Sequence, residues 1–563
     1  NSFYLRPYTD EDVMWTGTEN GVWDSYTQAA YPGFGGWDEV SRQLMSDNDP
    51  NNDLSPMGAY RLFQWEHRRA GQIIKPDYTI DMGFGGPVPL ISENLGNLRF
   101  YSSFYRNNVM YAIPLATEDY VDESFTLKLT SDLGQKTKLQ GSYLNNTVVG
   151  SDESNSGNTN FVSSSTYDIL DNFAGRTQTR SKIWYPNYFC IAEKVSQSLN
   201  LKLTHTFNQN SYGELSANYR QTDYDTYPSA DNGASESGYT ERNDTLLVQD
   251  ILPGDSEYWV NIAPFDYEPG TSYSIDGFYM GVKGNSRDNS RTSNFQIKGA
   301  YTNQVNAHNQ IKTGFAVEFK KYEIDYGSIT PFTTSWTSLT EKPYLMNAFI
   351  QDKVEYDGWV ATVGLRAEYF NLNTEWFDVN PYDKKFYTQA YTEAYEESLG
   401  KKAVEPKLYL LPRLQVSHPI SEKSKLYFNY GHMRQSVDPD QMFEITRNNQ
   451  NSITYIGNPN IDFERTIQYE LGFDQQLLNS YLLHIAGYYK DKMYQLNTSQ
   501  VYESESTKGN LSYRTYENKL YQDIRGLEVQ LSKNRGDWVT GFVNYNYRIS
   551  SSGQFGVPNR LKS

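Results

Sequence analysis

The feature that most constrains the fold is a repeated alternation of apolar and polar side chains in paired segments. In residues 408–432, Leu414 and Val416 share one face of an extended segment, because successive strand residues point to opposite sides. After the polar link "ISEKS", Leu426, Phe428 and Tyr430 share one face of the next segment. This pattern predicts a β-hairpin with one apolar and one polar face.

A single hairpin of this kind also fits the half-buried sheet of a soluble β-sandwich. The number and spacing of the hairpins therefore decide which all-β fold the sequence predicts. Similar pairs recur between residues 77 and 548. Together they predict about eight hairpins, or about 16 strands. Each arm has roughly 9 to 11 residues, which is long enough to cross a bilayer obliquely.

The links between the segments alternate in length. Links within hairpins are short, such as "SDLGQ", and links between hairpins are long, as at 145–198, 221–292, 371–407 and 491–522. Outer-membrane barrels have tight periplasmic turns and long extracellular loops, whereas compact soluble domains rarely contain long irregular loops. The sequence therefore predicts an all-β fold, a transmembrane antiparallel β-barrel with its apolar face toward lipid and its polar face toward a lumen.

Composition agrees with this fold class. The mean hydropathy is −0.70, and the absence of any run of about 18 apolar residues excludes a helical membrane protein. Aromatic residues make up 15% of the chain, with 48 Tyr, which suits girdles at a membrane interface. The net charge of −18 argues against a nucleic-acid partner. Cys190 is the only cysteine, so no disulfide or thiolate metal cluster is expected.

Signals of catalysis or metal binding are weak. The six histidines have no metal-ligand spacing such as HExxH, and the chain contains no GxSxG elbow. Asp47, Asp49 and Asp53 offer oxygen ligands, but the glycine and terminal glutamate of an EF-hand loop are missing, which favours a solvated turn. We expect no enzyme, no cofactor and no metal site.

Three regions are expected along the chain. Residues 1–76 lack the hairpin pattern and are interpreted as an extracellular loop region with a short helix, which Ser55 caps and Pro56 begins. Residues 77–548 hold the barrel strands and their loops, and residues 549–563 begin a further loop. The first residues do not form a signal peptide and the last do not form a terminal strand, which favours an interior section of a longer chain.

Several segments resemble the barrel strands of TonB-dependent outer-membrane receptors, most closely the Oar-like and starch-utilisation-type receptors. They are "DYTIDMGFGGPVP", "NAFIQDKVEYDGWVATVGLRAEYF", "PRLQVSHPISEKSKLYFNYGH" and "YIGNPNIDFERTIQYELGFDQQL", in this order. The resemblance implies a 22-stranded barrel in the outer membrane, of which about 16 strands are visible here. It also implies import of a large or scarce nutrient, with TonB acting through a plug that this chain lacks.

Candidate site residues fall into two groups. The first lies in predicted extracellular loops, where aromatic side chains either form small cores or make a platform for a ligand or partner. Its members are Trp15, Trp23, Trp37, Trp184, Trp259, Trp336 and Trp376, together with Tyr224 and Tyr227 beside Asp223, Asp225 and Asp231. The pattern puts only Trp359 and Trp538 on strands. The second group is predicted to line the lumen: Lys312, Glu318, Arg366 and Glu368.

Three functions remain open at this point. The first is a ligand-gated active transporter in contact with outer-membrane lipids. The second is a barrel that serves as an interaction platform for a surface lipoprotein or a secreted protein. The third is a soluble, secreted all-β binding protein.

Overall fold

A computed structural model of the chain describes most of the strand-forming sequence. No helix in the described part of the chain is both long enough and apolar enough to cross a membrane. The described residues are 11–16, 75–111, 115–152, 159–162, 189–227, 245–247, 259–261, 286–329, 334–378, 400–447, 453–502 without 479, 512–555 without 534 and 537, and 559–561, with the single residues 25, 38, 42, 46 and 60.

The main element is one large sheet of sixteen long strands. Each long strand pairs antiparallel with the next long strand along the chain. This order confirms the predicted antiparallel all-β fold and the expected number of strands. The strands are β1 (Tyr78–Pro87), β2 (Arg99–Met110), β3 (Asp119–Gly134), β4 (Thr137–Ser151), β5 (Ile191–Asn208), β6 (Ser211–Tyr227), β10 (Arg291–Gln304), β11 (Asn309–Ile329), β13 (Tyr344–Tyr356), β14 (Trp359–Asn371), β17 (Lys407–Ser421), β18 (Ser424–Gln435), β21 (Glu464–Leu477), β22 (Tyr481–Tyr502), β23 (Ser512–Lys533) and β24 (Gly541–Gln554).

Shorter elements lie between the long strands. Two helices, α1 (Glu11–Thr16) and α2 (Pro439–Phe443), are described, and a 3-10 turn occupies Glu93–Leu95. Pro439 begins α2 because proline fixes a helical φ and the first helical residue needs no amide donor. The short strands are β7 (Thr245–Leu247), β8 (Trp259–Asn261), β9 (Ser286–Asp288), β12 (Thr334–Glu341), β15 (Glu375–Phe377), β16 (Lys401–Ala403), β19 (Ile445–Arg447), β20 (Ile453–Ile456) and β25 (Asn559–Leu561).

One face of the sheet carries a continuous apolar band edged by aromatic rings. Phe295 lies opposite Tyr219 on one neighbouring strand and opposite Phe319 on the other, so the three rings share one level of this face. Farther along the sheet, the ring centroids of Tyr430 and Tyr469 are 5.2 Å apart. Rows of this kind mark the boundary between hydrocarbon and headgroups in membrane barrels. We call this row the aromatic belt.

The opposite face is polar, and tyrosine rings there lie directly over glycines of the neighbouring strand. A Cβ atom added at Gly526 would overlap the ring of Tyr488, and the same relation joins Tyr427 with Gly472. These glycines are required for close approach, because any larger residue would push the ring away. The sheet therefore has two chemically distinct faces along its whole width.

Several strands continue well beyond the aromatic belt. β11 continues past the belt residue Phe319 as far as Ile329. β22 and β23 each have 22 residues. The predicted long link 491–522 is therefore wrong, and the actual link covers residues 503–511. The sequence hides this extension because apolar and polar residues no longer alternate regularly in the upper part of β22, and its pairing with β23 shifts register between Lys492 and Gln495.

Other details also depart from the sequence-based expectations. Trp538 lies in the turn between β23 and β24 and is 95% exposed, not on a strand. The link between β1 and β2, residues 88–98, contains the 3-10 turn and is longer than expected. β24 continues to Gln554, past the boundary placed at residue 548. The helix predicted at Ser55–Phe63 lies outside the described residues except for Tyr60, which is helical.

Candidate functional site

The polar face brings the four predicted lumen residues together on one side of the sheet. Arg366 donates to Glu368 at 2.6 Å, two residues along the same strand. Glu318 accepts a hydrogen bond from Asn294 at 2.7 Å and lies 3.6 Å from the ammonium of Lys320. Lys312 lies opposite Gln351 on β13, on this same face. These contacts leave a surface of paired charges and amides, which is compatible with water.

At the long-loop end, the polar face of β14 and β17 is covered by an apolar cluster. Phe370, Tyr409 and Leu411 project from the same face as Arg366 and Glu368. Helix α2 and the segment before β21 pack onto them. We call this group the loop cluster; its buried members are Phe370, Leu372, Val404, Tyr409, Leu411, Val437, Met442, Phe443, Ile461 and Phe463.

Aromatic contacts dominate the packing of the loop cluster. The ring centroids of Phe370 and Phe463 are 4.6 Å apart, and those of Tyr409 and Phe463 are 5.7 Å apart. The guanidinium of Arg434 lies 4.3 Å from the ring centroid of Tyr409 and donates to the Phe463 carbonyl at 2.8 Å. Tilted aromatic pairs and a cation over a ring both stabilise such a cluster.

Hydrogen bonds connect the loop cluster to two strands that are not neighbours in the sheet, β17 and β23. The Asn518 side chain accepts from the Asp462 amide at 2.6 Å and donates to the Asp462 carbonyl at 2.9 Å. Asn458 donates to the Tyr516 carbonyl at 3.0 Å. Lys407 donates to the Ile461 carbonyl. The segment between α2 and β21 is thus held from both β17 and β23, across the width of the intervening strands.

One acidic side chain of this segment is held in an unfavourable environment for charge. Burial raises the pKa of the Glu444 carboxyl above its ordinary value of 4.5, and the neighbouring Asp440 carboxylate raises it further. A hydrogen bond from Thr446, at 3.1 Å, opposes these effects. The Glu444 pKa is raised overall because desolvation is the largest effect.

A second concave region lies on the apolar side of the sheet, beyond the aromatic belt. Asp223, Tyr224 and Asp225 line it with Glu193 and Arg291, around a volume of about 470 Å³. Arg291 is ion-paired with Asp223. Burial, with the carboxylates of Glu193 and Asp288 nearby, raises the pKa of Asp225. In the described part of the chain, no group of three or more His, Cys, Asp or Glu side chains is arranged to hold a metal ion.

The predicted loop positions of Asp223, Tyr224, Asp225 and Tyr227 are wrong, because all four lie on β6. The strand continues past the belt, where its side chains no longer alternate clearly between apolar and polar. Trp336 and Trp376 were also predicted in loops, yet they lie on β12 and β15, and Trp259 lies on β8. Trp23, Trp37, Trp184 and Asp231 lie outside the described residues.

The described tryptophans make different contacts. Trp376 packs against the loop cluster, with its ring centroid 5.9 Å from that of Phe443, so its contacts favour the small-core interpretation. Trp336 donates to Asp325 at 2.9 Å and is 40% exposed. The Trp15 ring lies 5.0 Å from Tyr60, edge to face. The role of these residues in binding stays a prediction.

Four residues that hold the loop cluster together were not predicted from the sequence: Asn518, Asp462, Arg434 and Phe443. Asp462 and Asn458 belong to "YIGNPNIDFERT", which lies between the hairpin at 408–432 and β21. Its dense Gly, Asn, Pro and Asp content was a signal of ordered turns, since these side chains bond to nearby backbone. Its partner Asn518 carried no such signal, because it lies in a polar stretch more than fifty residues away.

Comparison with known proteins identifies the family to which this fold belongs. Residues 136–562 match the family described as TonB-dependent receptor-like, beta-barrel. The chain therefore belongs to this family of outer-membrane receptors and transporters, and it lies in the outer membrane. Comparison with curated proteins gives no match.

Three solved structures illustrate the likeness. The outer membrane transporter YddB from Escherichia coli is 10% identical, with a TM-score of 0.53 and coverage of 84% of this chain and 55% of that one. The ferric yersiniabactin uptake receptor FyuA from Yersinia pestis is 11% identical, with a TM-score of 0.51 and coverage of 85% and 59%. The siderophore receptor PirA from Pseudomonas aeruginosa is 11% identical, with a TM-score of 0.48 and coverage of 85% and 64%. The chain spans less than two thirds of the length of each, and the first two support the fold alone.

Proposed function

We propose that this chain is the main barrel part of a TonB-dependent transporter that imports a large or scarce nutrient. The observation that carries the proposal is the position of the loop cluster. On the polar face, Leu411 lies opposite Arg366 and Tyr409 lies opposite Glu368, while Phe370 lies two residues beyond Glu368 toward the long loops. The rest of the loop cluster packs onto these three side chains. An ordered apolar cluster on the polar face restricts free diffusion through the barrel, which favours a ligand-gated transporter over an open pore.

The polar face below the loop cluster would form the ligand path. Its charges are paired within the protein, as in Arg366 with Glu368 at 2.6 Å. The side chain of Glu368 is 17% exposed and that of Arg366 is 34% exposed, so both can still meet a passing polar group. Paired charges favour passage because they bind a ligand weakly enough to release it.

TonB and the plug belong to this proposal as partners outside the given residues. We place the extracellular loop region at residues 1–76 and the barrel strands and loops from residue 77 to the end of β24 at Gln554, with a further loop beginning after it. Import of this kind needs energy but no chemical change in the ligand. The proposed role is therefore transport without an enzymatic step.

A second candidate role is that of a platform for a surface lipoprotein or a secreted protein. The concave acidic region at Asp223, Asp225 and Glu193 favours it, because it lies on the outer side of the barrel beyond the aromatic belt. A basic patch on a partner would complement these carboxylates. Co-purification of a stoichiometric partner that Asp225→Asn weakens, without loss of uptake, would support this role.

The transport proposal can be tested without knowing the ligand. Cells with the protein, cells without it and cells lacking TonB are grown in the same complex medium, and the consumption of each medium component is followed by mass spectrometry. We expect at least one component to be consumed only when both the protein and TonB are present. Equal consumption in all three strains, or consumption that persists without TonB, would contradict the proposal.

A further inference from the structure

A groove lies on the lipid-facing side of the barrel, between the aromatic belt and the short turns. It encloses about 560 Å³, which is in the range of sites for small ligands, about 300–1,000 Å³. It is lined by Leu203, Phe207, Leu215, Gly299, Tyr301 and Phe315, and these side chains and backbone atoms are almost entirely apolar. Water is excluded from this level, so the groove meets hydrocarbon.

At two glycines the aromatic rings that line the groove lie directly against the backbone. A Cβ atom at Gly299 would lie 2.6 Å from the Phe315 ring, and one at Gly213 would lie 3.1 Å from the Phe207 ring. The rings therefore lean over backbone where other lipid-facing positions carry branched side chains. Phe207 and Tyr301 stand 5.8 Å apart, edge to face, at the end nearest the short turns.

The end of the groove near the turns is polar and cationic. His205, which lines it, shares a hydrogen bond of 2.7 Å with Thr137. Lys136 is exposed in the next turn, and its ammonium reaches the Phe207 carbonyl at 3.4 Å. The turn sequences 205–211 and 304–310 contain no acidic residue. Asp132, in the same turn region as Lys136, is ion-paired with Arg99 at 2.7 Å.

We propose that this groove holds one acyl chain of a phospholipid from the periplasmic leaflet, with the phosphate next to Lys136. The short turns mark the periplasmic side of such barrels, so the groove opens at the level of that leaflet's headgroups. An anionic phosphate complements Lys136, as it does at other basic sites on membrane proteins. Since lipid tails are as apolar as the groove, its shape and the headgroup contact together make the binding specific.

The glutamate that also borders the groove does not oppose an anionic headgroup. Glu214 is ion-paired with Lys202 at 2.6 Å. Both residues lie on the polar face, since Lys202 is opposite Ser216 and Glu214 is opposite Thr204 in the strand register. The lipid-facing opening therefore keeps a net positive charge at its polar end.

The test uses the native protein extracted from outer membranes and placed in phospholipid nanodiscs. The discs contain a phosphatidylglycerol with a photoreactive diazirine in one acyl chain, and cross-linked peptides are located by mass spectrometry. We expect labelling to concentrate on residues 203–215 and 299–315, compared with the apolar band of β17. Uniform labelling of all lipid-facing strands would overturn the proposal, and so would cross-links that join two copies of the protein through the groove.

Matched variants separate the groove from the general surface. Ala348→Leu fills the groove beside Phe315. Ala367→Leu makes the same change on β14, at the position paired with Ala348, but Ala367 does not line the groove. We expect only Ala348→Leu to lower the labelling. Lys136→Gln should lower labelling by the phospholipid about fivefold and leave labelling by a diazirine-bearing diacylglycerol unchanged. Equal effects of both leucine variants, or no effect of Lys136→Gln, would contradict the assignment.

Discussion

The side chain of Asn518 on β23 makes two hydrogen bonds with the main chain of Asp462, accepting from its amide at 2.6 Å and donating to its carbonyl at 2.9 Å. Asn518 also donates to the Tyr494 carbonyl at 2.7 Å. One amide side chain thus joins β22, β23 and the segment that completes the loop cluster. These hydrogen bonds hold the loop cluster in a fixed position on the polar face of the sheet.

The Asn518 contact predicts how the loop cluster responds to its loss. Asn518→Leu keeps the volume and removes all three hydrogen bonds, which should cost about 1–3 kcal/mol locally. We expect amide hydrogen exchange in residues 453–463 to become about ten- to a hundredfold faster. Asn544→Leu, on an exposed position of β24, is the control and should leave this segment unchanged. Unchanged exchange in Asn518→Leu would show that other contacts alone hold the segment.

The tyrosine that covers Gly526 predicts an asymmetry between two glycines. Gly526→Ala places a methyl group in the ring of Tyr488, whereas Gly487→Ala, on the neighbouring strand, meets nothing nearer than 3.9 Å. Overpacking should destabilise the first variant by about 1–3 kcal/mol. The measurement is the temperature at which the detergent-solubilised barrel loses its folded mobility on a gel. Equal melting of the two variants would argue against the close contact.

The raised pKa of Glu444 predicts a pH dependence of the loop cluster. A carboxyl whose pKa is raised on folding favours the folded state below its unfolded pKa, and this stabilisation is lost as pH rises through the folded pKa. Glu444→Gln removes the ionisation. At about pH 7, amide hydrogens of residues 445–447 and 453–456 should therefore exchange more slowly in this variant than in the wild type. At about pH 4 the difference should disappear. Glu422→Gln, in an exposed turn, is the control, and a difference independent of pH would refute the cause.

Cys190 should be unreactive in the folded protein. Its thiol is 1% exposed, and burial raises its pKa to about 12. Relative to an ordinary thiol of pKa 9.0, the reactive thiolate is about a thousandfold scarcer. A maleimide should label Cys190 only after denaturation, whereas Trp538→Cys, at a site 95% exposed, should be labelled at once in the folded protein. Rapid labelling of Cys190 in the native barrel would contradict the described packing.

The sequence predicts the membrane-crossing part of the fold well because a single rule governs it. Lipid on one side and a polar interior on the other force the alternation seen at Phe315, Val317 and Phe319 against Lys312 and Glu318. The same rule identified hairpins whose strands pair as expected. The placement of Lys312, Glu318, Arg366 and Glu368 on one face follows from strand geometry alone.

Beyond the aromatic belt this rule no longer applies, and the predictions become less accurate. Water surrounds both faces there, so the upper halves of β6, β22 and β23 look like loop sequence. The loop cluster depends on contacts between distant segments, such as Trp376 with Phe443 and Asn518 with Asp462. Local patterns carry no information about such pairs, so the loop cluster could only be found from the structure.

Transport through the barrel requires that the polar face be wet while the apolar face meets lipid. The most direct test places a nitroxide spin label at residues 363–368 of β14, one position at a time, in a Cys190→Ser background. The labels at Val363, Leu365 and Ala367 should be reached by oxygen dissolved in lipid, and those at Gly364, Arg366 and Glu368 by a water-soluble nickel chelate. Accessibility that does not alternate along these six positions would contradict the account.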